Sequence, residues 1–114
     1  MTNVTDDVRR CYARQHAGSQ ALRAALVTVM TARHEAGRAL NRVYQDGPIP
    51  PGDLAGLAGI NAKNYSAEQC SFMREFAKRA SVKDIAGLVD EYGTWARICE
   101  RYLVDTPTLE EAPA

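Results

Sequence analysis

Apolar residues recur at helical spacing almost from one end of the chain to the other, while Arg, Asp, Glu and Lys fill the opposite faces. On a wheel of ~100° per residue, Val8, Cys11, Leu22, Leu26, Val29, Ala36, Leu40, Val43 and Tyr44 share one stripe. Thr5 can cap ahead of Asp6 and Asp7, whose charges suit the positive first turn, so the spacing predicts a helix over about 5–45. Ala17-Gly18-Ser19 is its natural break point, since Gly can stop one helix and Ser can cap the next; continuity is slightly favoured and the break stays open. At its rise per residue it would be roughly 55–60 Å long. A globule of this length has a radius of gyration near ~13 Å and cannot enclose it, so either the molecule is elongated, which is the expectation taken, or the helix breaks.

Asp46-Gly47-Pro48-Ile49-Pro50-Pro51-Gly52 ends the first helix. Asp53 can then cap a second, about 53–80, carrying Leu54, Leu57, Ala58, Tyr65, Phe72, Phe76 and Ala80. Gly56 and Gly59 weaken its first half by up to ~1 kcal/mol each, and Ser66-Ala67-Glu68-Gln69 could restart it as a capping box. Past Ala80 the apolar stripe would jump about half a turn of the wheel. Ser81-Val82-Lys83-Asp84 sits at that jump and reads as a cap, so a third helix is predicted over about 82–104, with Ile85, Val89, Tyr92, Ala96, Cys99 and Leu103 as its apolar seam. Asp105-Thr106-Pro107 stops it, and 105–114 is expected to be a disordered acidic tail. The fold class expected is all-α: one domain over 1–104, a helical hairpin plus a third helix, elongated and amphipathic.

Composition adds exclusions. At 114 residues there is room for one modest core, and Lys+Arg 14 balances Asp+Glu 14, so no global field draws in nucleic acid or an anionic surface. Basic residues crowd the first half (Arg9, Arg10, Arg14, Arg23, Arg33, Arg38, Arg42). Cys11, Cys70 and Cys99 are odd in number and widely spaced, which is neither a disulfide framework nor a zinc pattern. A polar start and no apolar run near ~18 residues lead to the expectation of a cytoplasmic protein without a transmembrane segment. His16 and His34 lie off the stripe without a metal-ligand neighbour at helical spacing and are read as solvated. Adjacent carboxylates such as Asp90 and Glu91 point ~100° apart on a helix and cannot act as an acid/base couple. No nucleophile elbow or phosphate loop is present. No catalytic residue, cofactor or metal is therefore expected.

Polar residues interrupt the apolar stripes, Gln15 and Ser19 among them. Arg33 enters the first helix's stripe and Asn61 the second's, and a hairpin about Ile49 brings Asn64 to Glu68 level with Arg33. Polar groups so placed fix register or oligomer state at a cost in stability. Alternatively, Arg33 snorkels to water past small neighbours.

Between Tyr44 and Leu103 the chain resembles the phasins of polyhydroxyalkanoate granules. The resemblance is carried by Phe72-Met73-Arg74-Glu75-Phe76-Ala77-Lys78-Arg79-Ala80-Ser81, followed after Val82-Lys83-Asp84 by Ile85, Leu88 and Val89 and the Glu91-Tyr92 pair. It implies a non-catalytic, oligomerising, all-α protein that coats the polyester granule.

Physically, a three-helix chain this small leaves apolar stripes uncovered as a monomer, so a coiled-coil-like homo-oligomer is expected. One seam would use Leu22, Leu26, Val29, Leu40 and Val43. The other would use the third helix's residues from Ile85 to Leu103. The rival expectation is a helical adaptor or chaperone-like module that holds a single protein partner in a groove.

Overall fold

A computed structural model describes residues 4–110, and these are helical throughout apart from the connecting turns. Helix α1 runs unbroken from Val4 to Tyr44. Gly18 does not interrupt it, because one glycine costs less than the hydrogen bonds of a continuing helix return. The chain leaves α1 through Gln45, whose φ of 53° reverses the backbone. Arg74 secures this end by donating to the Gln45 carbonyl at 2.6 Å.

The expected second helix is two helices. Helix α2 (Pro51–Ile60) begins with proline in its first turn, where no N–H is needed, and buries no residue. Tyr44 holds it to α1 by donating its hydroxyl to Asp53 at 2.7 Å. It stops at Asn61, whose side-chain oxygen accepts from the Lys63 and Asn64 amides at 3.1 and 3.0 Å and folds the chain into a turn. Ser66 then caps helix α3 (Ala67–Arg79) by accepting from the Gln69 amide.

At Ser81 the chain turns again. The Asp84 carboxylate accepts from the Ser81 amide and hydroxyl at 3.1 and 2.8 Å, which holds the Asp84 carboxyl below its usual range. The expected third helix is likewise divided. Helix α4 (Ile85–Tyr92) ends at Gly93, whose φ of 79° only glycine adopts without strain. Thr94 caps the next stretch, α5, over residues 95–105. Its middle, Ile98–Tyr102, is widened by one residue, so that the Leu103 amide reaches the Ile98 carbonyl. The described part of the expected tail lies against the end of α3. Asp105 closes α5, the Arg79 side chain donates to the Thr106 carbonyl, and the Leu109 amide donates at 2.8 Å to the Lys78 carbonyl, one that the end of α3 leaves unpaired. Residues 111–114 of that expectation lie outside the described residues.

The core forms where the second half of α1 meets α3, α4 and α5. Phe76 is its hub, fully buried, with edge-on contacts to His34, Trp95 and Tyr102. Met30, Ile85, Leu88, Val89, Ile98, Cys99 and Leu103 surround it. Helices α1 and α3 touch backbone to side at Gly37, where a Cβ would lie 1.9 Å from the Met73 carbonyl oxygen. Asn41 locks the same crossing, donating to the Arg74 carbonyl and accepting from the Arg74 side chain.

The first half of α1 has no such neighbours. Residues 4–25 are exposed without exception, so about 33 Å of helix stands clear of the head. The Arg23–Asp90 ion pair at 2.6 Å marks where it leaves. The molecule measures 68 × 40 × 20 Å with a radius of gyration of 18.7 Å, well above the ~13 Å of a compact chain.

Candidate functional site

Helix α1 has two working faces. The buried face consists of Met30, His34 and Gly37. The face about 100° round the helix from it carries the long apolar stripe. Along this second face Val8, Leu22, Val29 and Val43 are exposed by 60%, 62%, 45% and 67%, which makes it a continuous uncovered surface rather than scattered apolar residues. Ala25 and Ala32 lie between them, also exposed.

Toward its C-terminal end this face becomes one wall of a groove. Ala36, Ala39, Leu40 and Val43 form that wall, and Leu57, Ile60 and Tyr65 face them across a space of about 250 Å³. Further along, Val29, Ala32 and Arg33 face Asn64 and Tyr65 across a second space of about 170 Å³. Both spaces are bordered by Tyr65, which follows the Asn61 turn.

Arg33 sits between the groove and the core. Its guanidinium lies over the Trp95 ring at 4.9 Å, and Trp95 donates its indole N–H to Gln69 at 2.8 Å. Burial lowers the pKa of Arg33, and its Nε has no hydrogen-bond partner among the described residues. Arg33 is thus a half-buried cation anchored on an aromatic face. It forms no ion pair with a carboxylate among the described residues.

The two expected seams fare differently. Leu22, Val29 and Val43 are exposed, Leu40 lines the groove, and Leu26 packs partly against the core. In the other seam Ile85, Val89, Cys99 and Leu103 are core residues within the chain and Tyr92 packs against them; only Ala96 is exposed. That seam is therefore no contact surface, because the turn at Ser81 folds α4 and α5 back onto α1 and α3. Burial raises the Cys99 thiol to about 11. Asn61 occupies no core position and works as an exposed turn former.

His34, read from the sequence as solvated, is buried, with Nε2 2.6 Å from the Ala80 carbonyl oxygen. The wheel missed it because the buried face of α1 holds few apolar residues. The signal available was Gly37, three residues on along the same face. Among the described residues no group of three or more His, Cys, Asp or Glu converges as a metal site, and no helix is long and apolar enough to cross a membrane. No family model, curated protein or solved structure matches the chain.

Proposed function

We propose that this is a non-catalytic helical interaction protein that works by lending the free face of α1 to another helix. The observation that carries the reading is the union of a bare arm over residues 4–25 with an apolar groove that continues the same face. The residues between the large ones are Gly18, Ala25, Ala32 and Ala39. Such small residues add little area against a flat apolar body, yet they let a second helix approach closely. This favours a helix-receiving adaptor over a surface coat.

One observation favours the phasin-like coat as a second reading. Val4, Val8, Tyr12 and Leu22 are all more than half exposed on one arm, and an interfacial helix binds in proportion to the apolar area it can bury.

Leu22→Asp and Val29→Asp test the two readings together. Both positions are exposed in the single chain, so neither change disturbs the core and each variant should keep its folded head. Chemical cross-linking in solution and sedimentation onto bare polyester beads are then compared. Association that both variants lose, without bead retention of the parent, supports helix pairing. Bead retention that both lose supports the coat. Association that neither substitution disturbs removes α1 from the function.

A further inference from the structure

The free face of α1 follows a seven-residue repeat in register over its whole length. Val8, Gln15, Leu22, Val29, Ala36 and Val43 occupy one core position of the repeat. Val4, Cys11, Gly18, Ala25, Ala32 and Ala39 occupy the other, so apart from Val4 one row is made only of small residues. The position flanking this seam on the solvent side is held by Asp7, Arg14, Ala21, Thr28, Glu35 and Arg42. All four charged members are exposed, and Arg14, Glu35 and Arg42 form no ion pair among the described residues; Asp7 holds Arg10.

We infer that the partner helix is α1 of a second copy, paired antiparallel about a two-fold axis passing between Arg23 and Ala24. The inference rests on the reading of α1 as a helix-receiving face and names its occupant. Turning one helix end over end sets the row of mostly small residues against the larger row: Leu22 opposite Ala25, Val29 opposite Gly18, Val8 opposite Ala39. Small stands against large at four of the six levels, the exceptions being Ala36 against Cys11 and Val43 against Val4, and such alternation is what close packing of two helices needs. The same operation sets solvent-side flank against solvent-side flank. Asp7 then meets Arg42 of the second copy, and Arg14 meets Glu35, each twice by symmetry.

No neighbouring alignment does this. Sliding one helix by a heptad in one direction opposes Asp7 to Glu35, and in the other direction Arg14 to Arg42. A parallel pair would stack Gly18 on Gly18 and set Arg14 beside Ser19, leaving the charges unmatched. Like charges brought together oppose the wrong registers.

The head is shaped for the same partner. In this register Val4 and Val8 of the second copy arrive at the groove bounded by Val43, Leu57 and Ile60. Tyr12 arrives beside Arg33, at the second space. Each bare arm thus fills the other copy's groove. Exposed Val4, Val8, Tyr12, Leu22, Val29, Val43 and Ile60 together offer up to about 800 Å² per chain, the share one partner brings to a stable interface.

The test combines light scattering of the full chain over a range of concentrations with a charge exchange. Arg14→Glu and Glu35→Arg should each weaken the dimer about tenfold in Kd, since each turns two attractive contacts repulsive, and the double variant should restore it to within about threefold. Ala36→Cys should form a covalent dimer through Cys11 under mild oxidation. The parent should not link Cys11 to Cys11, because the two lie roughly 37 Å apart along the pair. A monomer at every concentration, a double variant no better than the singles, or a Cys11–Cys11 link in the parent would overturn the proposal. If Leu22→Asp dissociates a dimer that ignores the charge exchange, this register fails while the helix-receiving face stands. A dimer indifferent to Leu22→Asp removes both.

Discussion

Gly37→Ala and Gly87→Ala make the same chemical change in two helices and should move stability in opposite directions. At position 37 the added methyl would stand 1.9 Å from the Met73 carbonyl oxygen, 2.5 Å from its carbon and 3.1 Å from the Ala77 Cβ. Ordinary contact begins at 3.4 Å, so α3 must retreat by about 1.5 Å. The obstacle is backbone, which no rotamer change can move aside. Such overpacking costs about 3 kcal/mol, and opening the crossing also strains the paired Asn41–Arg74 contact. The better helix propensity of alanine returns about 1 kcal/mol. A net loss of about 2 kcal/mol, or roughly 10 °C in Tm, is expected. At position 87 nothing lies within 4 Å, so only the propensity gain of about 0.5–1 kcal/mol remains. Urea unfolding followed by circular dichroism measures both. If Gly37→Ala proves as stable as Gly87→Ala, α1 and α3 do not approach at this glycine, and the core as described is wrong.

Two further perturbations examine the head. Cys99 stays protonated to about pH 11 in the folded chain but ionises near 9.0 once exposed, so between those values the unfolded state releases a proton that the native state keeps. Stability should therefore hold below pH 9 and fall as the pH rises toward 11. Cys99→Ala should flatten part of that fall, with Cys70 and Tyr102, raised by burial in the same direction, supplying the rest; an unaltered slope counts against the buried thiol. His34→Leu keeps most of the volume but leaves the Ala80 carbonyl without the imidazole, so a loss of about 1–3 kcal/mol is expected in chemical denaturation. A neutral result would mean that the carbonyl finds water.

The helical class, the elongation and the turns near Pro48 and Ser81 were legible because each rests on local chemistry. Apolar spacing, proline's missing N–H and a serine cap with an acid three residues on are all written in short stretches of chain. The Gly93 break was not read, and the one at Asn61 was read only through the restart at Ser66, although Asn61 and Gly93 both favour turns. Each interrupts an apolar spacing that continues on its far side, and the wheel followed the spacing. The core was harder still. A wheel shows which positions are apolar, not what they face. It therefore treated Ile85, Val89, Cys99 and Leu103 as available to a partner when α1 and α3 already cover them.

Helix α1 inverts the usual correspondence between apolar stripe and buried face. Besides Met30 and the flanking Leu26 and Val27, the contacts that hold it in its own fold run through Gly37, His34 and Asn41, residues suited to close approach and hydrogen bonding rather than greasiness. Its repeating apolar residues look outward over residues 4–25 and along the groove. A stripe serving only the chain's own core would stop where the core stops, near Leu26. This one continues for six further turns, with small residues spaced every seven positions and charges that match only when the helix is reversed against itself. Solvent imposes no such spacing on an exposed face, whereas a second helix does.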